Sequence, residues 1–181
     1  MNNSLKWKTL SSEYVHKGKW ATLRIDRCEM PDGRIVDDYY VLEYGNWVNA
    51  VALTEDNKVI LVKQYRHAIG EVSLEIPGGV MDEGEQPEEA IKRELLEETG
   101  YEFNDLELLC SLWPNPSTGN NTVYTFLARG GKKVTGQNLD PSEEIIVEQY
   151  TVAEVKQLLA DNQIKQAMHC AGLFYAMAKI G

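Results

Sequence analysis

The stretch Gly79–Tyr101, GVMDEGEQPEEAIKRELLEETGY, constrains this chain more than any other part of its sequence. Pro87 suits the first turn of a helix, where its missing N–H would have no partner anyway, and Gly100 suits the left-handed residue that ends one. The spacing predicts a glycine-rich loop over Gly78–Gly84, followed by a helix that stops near Gly100. On such a helix Glu94, Glu97 and Glu98 stand at i, i+3 and i+4, so they project from one face at close quarters. Three like charges there oppose the helix unless something neutralises them. A hard divalent cation does so, because Mg²⁺ takes carboxylate oxygens and fills its other positions with water and substrate phosphates. Arg93, one turn before Glu97, is placed to hold that carboxylate. The Gly78–Gly79 turn brings a backbone carbonyl close to the same point.

An acidic helix face taken alone is usually a solvated face. This one belongs to a longer pattern. Gly79, Glu85, Arg93, Glu94, Glu97, Glu98 and Gly100 fall at G-x5-E-x7-R-E-U-x-E-E-x-G-U, where U is a bulky apolar residue. With residue usage of about one in fifteen per fixed position, a chance match in one window is on the order of 10⁻⁹.

Around this unit the chain is patterned as strands. Val15–Met30 and Ile35–Glu43 flank the turn Pro31-Asp32-Gly33; Val48–Thr54 and Val59–Gln64 flank Glu55–Lys58. Leu106–Trp113, Thr122–Ala128 and Ile145–Tyr150 are further strands, with a loop from Pro114 to Asn121. Thr151 and Glu154 form a capping box for a helix through Leu159, and a last helix spans about Ile164–Lys179. Strands grouped about one central helix, with helices at the end, predict a mixed sheet-and-helix fold. The order is too irregular for a doubly wound sheet.

A chain of 181 residues with a formal charge of −10 has room for one domain and a small appendage. The charge argues against nucleic acid as a partner, since a phosphate backbone calls for a basic surface. An acidic protein still binds small anions where a metal or a few arginines supply local cations. Cys28, Cys110 and Cys170 are far apart and odd in number, which predicts buried thiols in a reducing cytoplasm. No apolar run long enough to span a membrane and no secretory signal is expected.

The spaced residues Gly79, Glu85, Arg93, Glu94, Glu97, Glu98 and Gly100 resemble the signature box of the Nudix hydrolases. Tyr101 stands where an aliphatic residue is usual. The resemblance implies an α-β-α sandwich of mixed α/β (α+β) class, and a substrate in which a nucleoside diphosphate is joined to another group. It implies that Glu94, Glu97 and Glu98, with the carbonyl of Gly78, hold two or three Mg²⁺ ions, with Mn²⁺ as the alternative metal. Gly79, Glu85 and Arg93 are implied to be structural, orienting the carboxylates.

Gln64-Tyr65-Arg66, Leu74-Glu75-Ile76-Pro77-Gly78-Gly79 and Pro116 are similar to the ADP-ribose and ADP-sugar pyrophosphatase branch. That resemblance implies a small N-terminal antiparallel sheet over residues 1–45, which forms a homodimer and part of the substrate pocket, ahead of a hydrolase domain over 46–181. Arg66 is then expected to contact a substrate phosphate, Glu75 to line the pocket and Trp20 to stack on the base, with Tyr40, Trp47 and His67 as lesser candidates. Glu143 is expected to activate water alongside Glu97 and Glu98, with Glu144 as its rival. Asn120 and Asn121 depart from an acidic residue common in that branch, which loosens the substrate but not the metal. ADP-ribose cleavage to AMP and ribose 5-phosphate is the reading these residues imply. GDP-sugar, dinucleoside polyphosphate and nucleoside triphosphate hydrolysis, and a non-catalytic ADP-ribose-binding regulator, are its rivals.

Overall fold

The computed structural model describes residues 3–180, which divide into two compact units. The first holds the described residues up to Gly45 together with Trp113–Asn121. It is built on a three-stranded antiparallel sheet of β1 (Lys8–Lys17), β2 (Thr22–Glu29) and β3 (Ile35–Glu43). The Val15–Met30 segment is therefore not one strand. It breaks at Gly18, whose N–H donates to the Ala21 carbonyl at 2.9 Å in a tight turn. The Pro31-Asp32-Gly33 turn forms as the sequence implies, with Gly33 at φ +86°. The Trp113–Asn121 excursion is tied to β3. Leu42 N–H donates to the Thr118 carbonyl at 2.7 Å, and the Tyr39 hydroxyl donates to the Ser117 carbonyl at 2.7 Å. Tyr44 N–H donates to the side-chain oxygen of Asn120.

The second unit spans Asn46–Leu112 and Thr122 onward. Its sheet contains β4 (Trp47–Thr54), β5 (Val59–Arg66), β6 (Glu71–Glu75), β7 (Gly78–Val80), β8 (Tyr101–Glu102), β9 (Asp105–Leu112), β10 (Val123–Lys133) and β11 (Ile145–Tyr150). Its helices are α1 (Pro87–Thr99), α2 (Val152–Ala160) and α3 (Ala167–Ile180). The strand order is β11-β5-β4-β10-β8, with β6 beside β5, β7 beside β4 and β9 beside β10. β4 and β10 run parallel while every other pair is antiparallel, so the sheet is mixed. The short β6, β7 and β8 fall in stretches whose composition does not announce them. Of the expected glycine loop, Gly78–Val80 is drawn into the sheet by pairing with Trp47–Asn49.

Side chains alternate across a pleated strand, and β4 shows what that does in a sheet covered on both faces. Ala50 and Ala52 meet Ile60, Phe126, Ala128 and, from α1, Ala90, Ile91 and Leu95. Val51 and Leu53 face the other way, onto Val59, Leu61 and Leu127, with Val155 of α2 and Leu173 and Ala176 of α3. The result is the α-β-α sandwich: α1 on one face and α2 with α3 on the other. No described helix is long and apolar enough to cross a membrane.

Candidate active site

α1 begins and ends as its punctuation requires. Pro87 stands in the first turn, Glu89 accepts a hydrogen bond from Gln86 N–H at 3.3 Å, and Gly100 caps the end at φ +71°. With Ala90, Ile91 and Leu95 buried against the sheet, the helix cannot rotate, so the direction of its acidic residues is fixed.

Arg93 gathers several of them. Its Nε and Nη2 donate to the two carboxylate oxygens of Glu85 at 3.0 and 2.9 Å, a paired fork geometry. Its Nη1 donates to Glu94 at 2.8 Å and to Glu97 at 3.2 Å, and Nη2 also reaches the Val80 carbonyl. Hydrogen bonding from Arg93 holds the Glu85 carboxyl below its usual range, and Glu85 raises the guanidinium in return. Gly79 shapes the same spot. A Cβ on it would stand 2.5 Å from the Glu94 carboxylate.

Glu98 faces inward. Only 6% of it is exposed, and its Oε2 accepts from Gly78 N–H at 2.8 Å. Burial is the main force on its carboxyl, pushing it up to about 8, with the charges of Glu94 and Glu143 adding to the rise. Glu94 is raised too, by burial first and then by the charges of Glu97 and Glu143, against the pull of Arg93. Gly78 cannot be replaced cheaply: at φ +153° a Cβ would lie 2.2 Å from the Val48 carbonyl oxygen and 2.6 Å from Asn49 Cα. Among the described residues, no three His, Cys, Asp or Glu side chains converge as a closed metal cage. Arg93 draws Glu94 and Glu97 to itself, while Glu98 turns to the Gly78 N–H.

Arg66 and Glu75 are brought together by the β5–β6 hairpin. Arg66 Nε and Nη2 donate to the Glu75 oxygens at 3.0 and 2.6 Å. Glu75 is wholly enclosed, whereas the Arg66 side chain is 46% exposed. Burial alone would raise the Glu75 carboxyl, but the hydrogen bonds and charge of the Arg66 guanidinium outweigh it and hold it below its ordinary value. His169 of α3 lies behind this pair, its Nδ1 3.6 Å from Glu75 and without a hydrogen-bond partner. Burial lowers its pKa to about 4, so it is neutral.

Glu143 lies in the loop before β11. Its Oε2 accepts from Asp140 N–H at 3.2 Å and its own N–H donates to the Asp140 carbonyl at 2.9 Å. Its charge is felt at Glu94, Glu98 and Arg66, so these four groups share one electrostatic neighbourhood. Trp20 belongs to the N-terminal unit, in the turn between β1 and β2. It is 72% exposed there, with Lys19 Nζ 4.4 Å above its ring. Two residues of the site carry no sequence signal: His169, beside Glu75, and Gln137, at the acidic turn of α1. The Gln137 side-chain amide donates to the Glu98 carbonyl at 2.7 Å and to the Ile145 carbonyl at 3.0 Å.

Comparison with known proteins accords with this arrangement. A family model described as the NUDIX domain matches residues 44–170, and one described as the nucleoside diphosphate sugar hydrolase N-terminal domain matches residues 7–42. The chain is 30% identical over 165 residues to the methanol dehydrogenase activator of Bacillus methanolicus, covering 91% of this chain and 89% of that protein. It is 29% identical over 177 residues to the ADP-ribose pyrophosphatase of Bacillus subtilis, covering 97% and 95%. A crystal structure of an ADP compounds hydrolase matches with a TM-score of 0.84 at 25% identity, covering 97% of this chain and 94% of that one. With its box, its sandwich and a family match spanning most of its length, the chain belongs to the Nudix family.

Proposed function

We propose that this protein hydrolyses the pyrophosphate bond of a nucleoside diphosphate sugar, with ADP-ribose as its foremost substrate and AMP and ribose 5-phosphate as products. The observation that carries the reading is the buried Glu98 carboxyl, itself raised to about 8 by burial, with the charges of Glu94 and Glu143 adding to the rise. Such a site is costly unless a cation answers it. The donor set is all oxygen, which suits Mg²⁺. Glu94, Glu97 and Glu98 with the Gly78 carbonyl would hold the ions, two or three in number. Bound there, Mg²⁺ supplies charge to the diphosphate and makes water more acidic.

The remaining work falls to the chain's own residues. Arg66 has five donor hydrogens, and Glu75 takes only part of them, leaving the rest for a phosphate oxygen. Glu143 takes the proton of the attacking water at Oε1, the oxygen that Asp140 does not engage. Water thus adds across the P–O–P bridge, one phosphate gaining the hydroxyl and the other leaving with the bridging oxygen. Arg93 keeps Glu85, Glu94 and Glu97 aligned.

The N-terminal sheet is assigned to dimerisation and to base binding. β1 is exposed along its whole length, Tyr14 and Val15 included, and Trp20 is exposed in the turn after it. Sedimentation at twice the monomer mass would support the homodimer, and a monomer throughout the micromolar range would remove it. A cytoplasmic setting accords with the three free cysteines. The relative named methanol dehydrogenase activator favours a second reading, action on a partner enzyme. The complete box weighs for turnover.

Glu98→Gln tests the assignment. It keeps the size and the Gly78 contact but removes the charge, so turnover should fall at least on the order of 10²-fold while the fold persists. Near-normal Mg²⁺-dependent hydrolysis by that variant would refute it.

A further inference from the structure

The last carbonyls of a helix have no partners within it and must find them elsewhere. At the end of α1 those partners come from one segment. Lys133 Nζ donates to the Thr99 carbonyl at 2.6 Å, Val134 N–H to Gly100 at 3.0 Å and Asn138 N–H to Glu97 at 2.9 Å. Gln137 serves Glu98 with its side chain and differs from the others in what else it holds. The same amide nitrogen reaches the Ile145 carbonyl, the first residue of β11, eight residues on. It closes the loop 137–145 across its base, and Glu143 sits inside that loop. Ile145 is also paired with Gln64 of β5, so one side of the closure is anchored in the sheet. The other side is anchored on Glu98 itself, whose carboxylate is held by Gly78 N–H.

We infer that Gln137 is a positioning residue: one side-chain amide, donating to the backbone of Glu98 and of Ile145, fixes the Glu143 loop against the acidic turn of α1. This rests on the role proposed above for Glu143. An NH₂ group has two hydrogens, so it satisfies both carbonyls at once, and no apolar side chain of that size can. The loop has few other ties. Its internal bonds are the two between Asp140 and Glu143, and Pro141 offers no N–H. Without the clamp, Glu143 would keep its turn but lose its register to Glu98. Misplacing a catalytic group by about 1 Å costs on the order of 10²-fold in rate.

Gln137→Leu is the test, read in two ways on the full chain. With ADP-ribose and Mg²⁺, kcat should fall about 10- to 100-fold while KM moves less than about threefold, because the clamp orients a reacting group and does not bind substrate. Hydrogen exchange at the amides of Asn138 and Glu143 should speed by about tenfold or more. Lys133→Met, which strips the Thr99 carbonyl of its partner but has no tie to Ile145, should keep wild-type kcat. Gln137→Glu keeps the size without the donors and replaces the leucine variant if that one does not fold. Glu143→Gln separates the two claims. If it retains full turnover, the role of Glu143 fails, and the exchange rates still judge the clamp. Unchanged exchange in Gln137→Leu overturns the inference, and so does faster exchange with unchanged kcat in a protein that Glu143→Gln inactivates.

Discussion

His169 lies where an imidazole has little access to solvent, beside Glu75 and behind Arg66. Its pKa is lowered to about 4 by burial, against 6.5 for a free histidine. The unfolded chain therefore takes up a proton near pH 6.5 that the native protein refuses until about 4. A group depressed in this way contributes stability above the unfolded value and loses it as pH falls through the folded one. Over that window the loss is on the order of 3 kcal/mol. Denaturant unfolding from pH 7 to pH 4 should show that decline in the wild type and a flatter profile in His169→Gln. Equal slopes would mean that the imidazole is not held neutral. At this scale the sequence was legible where residues were close along the chain. Arg93 with Glu97 follows from helical spacing, whereas its bonds to Glu85 and Glu94 do not. Glu75 and Arg66 were each marked, but their pairing needs the β5–β6 hairpin, and His169 needs the packing of α3. Neither leaves a local trace.

α1 is the element that the sequence specified best, because its signals are local and agree. Pro87 starts it, Gly100 ends it, and Ala90, Ile91 and Leu95 give it a buried side. Gly100 has a second duty. A Cβ there would stand 2.3 Å from the Thr135 carbonyl oxygen, at a left-handed φ that side chains resist. Gly100→Ala should cost roughly 1–3 kcal/mol by urea unfolding and should loosen the 133–138 segment. An unperturbed midpoint would show that the end of α1 is less tightly packed than the distances indicate. The strand pieces fared less evenly. Val48–Thr54, Val59–Gln64 and Ile145–Tyr150 show plain apolar runs bounded by turn residues. β6, β7 and β8 do not, since Glu71–Glu75, Gly78–Val80 and Tyr101–Glu102 become strands through the neighbours they pair with. The turn at Gly18 was hidden for the opposite reason: strand-forming residues lie on both sides of it.

For the whole molecule, the mixed class followed from the order of elements, and the parallel pairing of β4 with β10 did not. That pairing joins Trp47–Ala52 to Val123–Ala128 across most of the hydrolase unit, so no window of sequence contains it. The grouping of Trp113–Asn121 with the N-terminal unit was likewise invisible, since it accepts from the Tyr39 hydroxyl and from the backbone N–H groups of Leu42 and Tyr44, far away in sequence. The charge of −10 acquires a use at this scale. In the proposed function the acids concentrated on α1 would be answered by a divalent cation, and Arg66 would offer its free donors to an anionic substrate. The most direct measurement is product analysis after incubating the purified protein and Mg²⁺ with ADP-ribose, GDP-mannose, diadenosine polyphosphates and nucleoside triphosphates. Expected are AMP and ribose 5-phosphate, formed from ADP-ribose well ahead of the other compounds and abolished by a chelator. Tight ADP-ribose binding with no product from any substrate would contradict hydrolysis and leave a binding protein in its place.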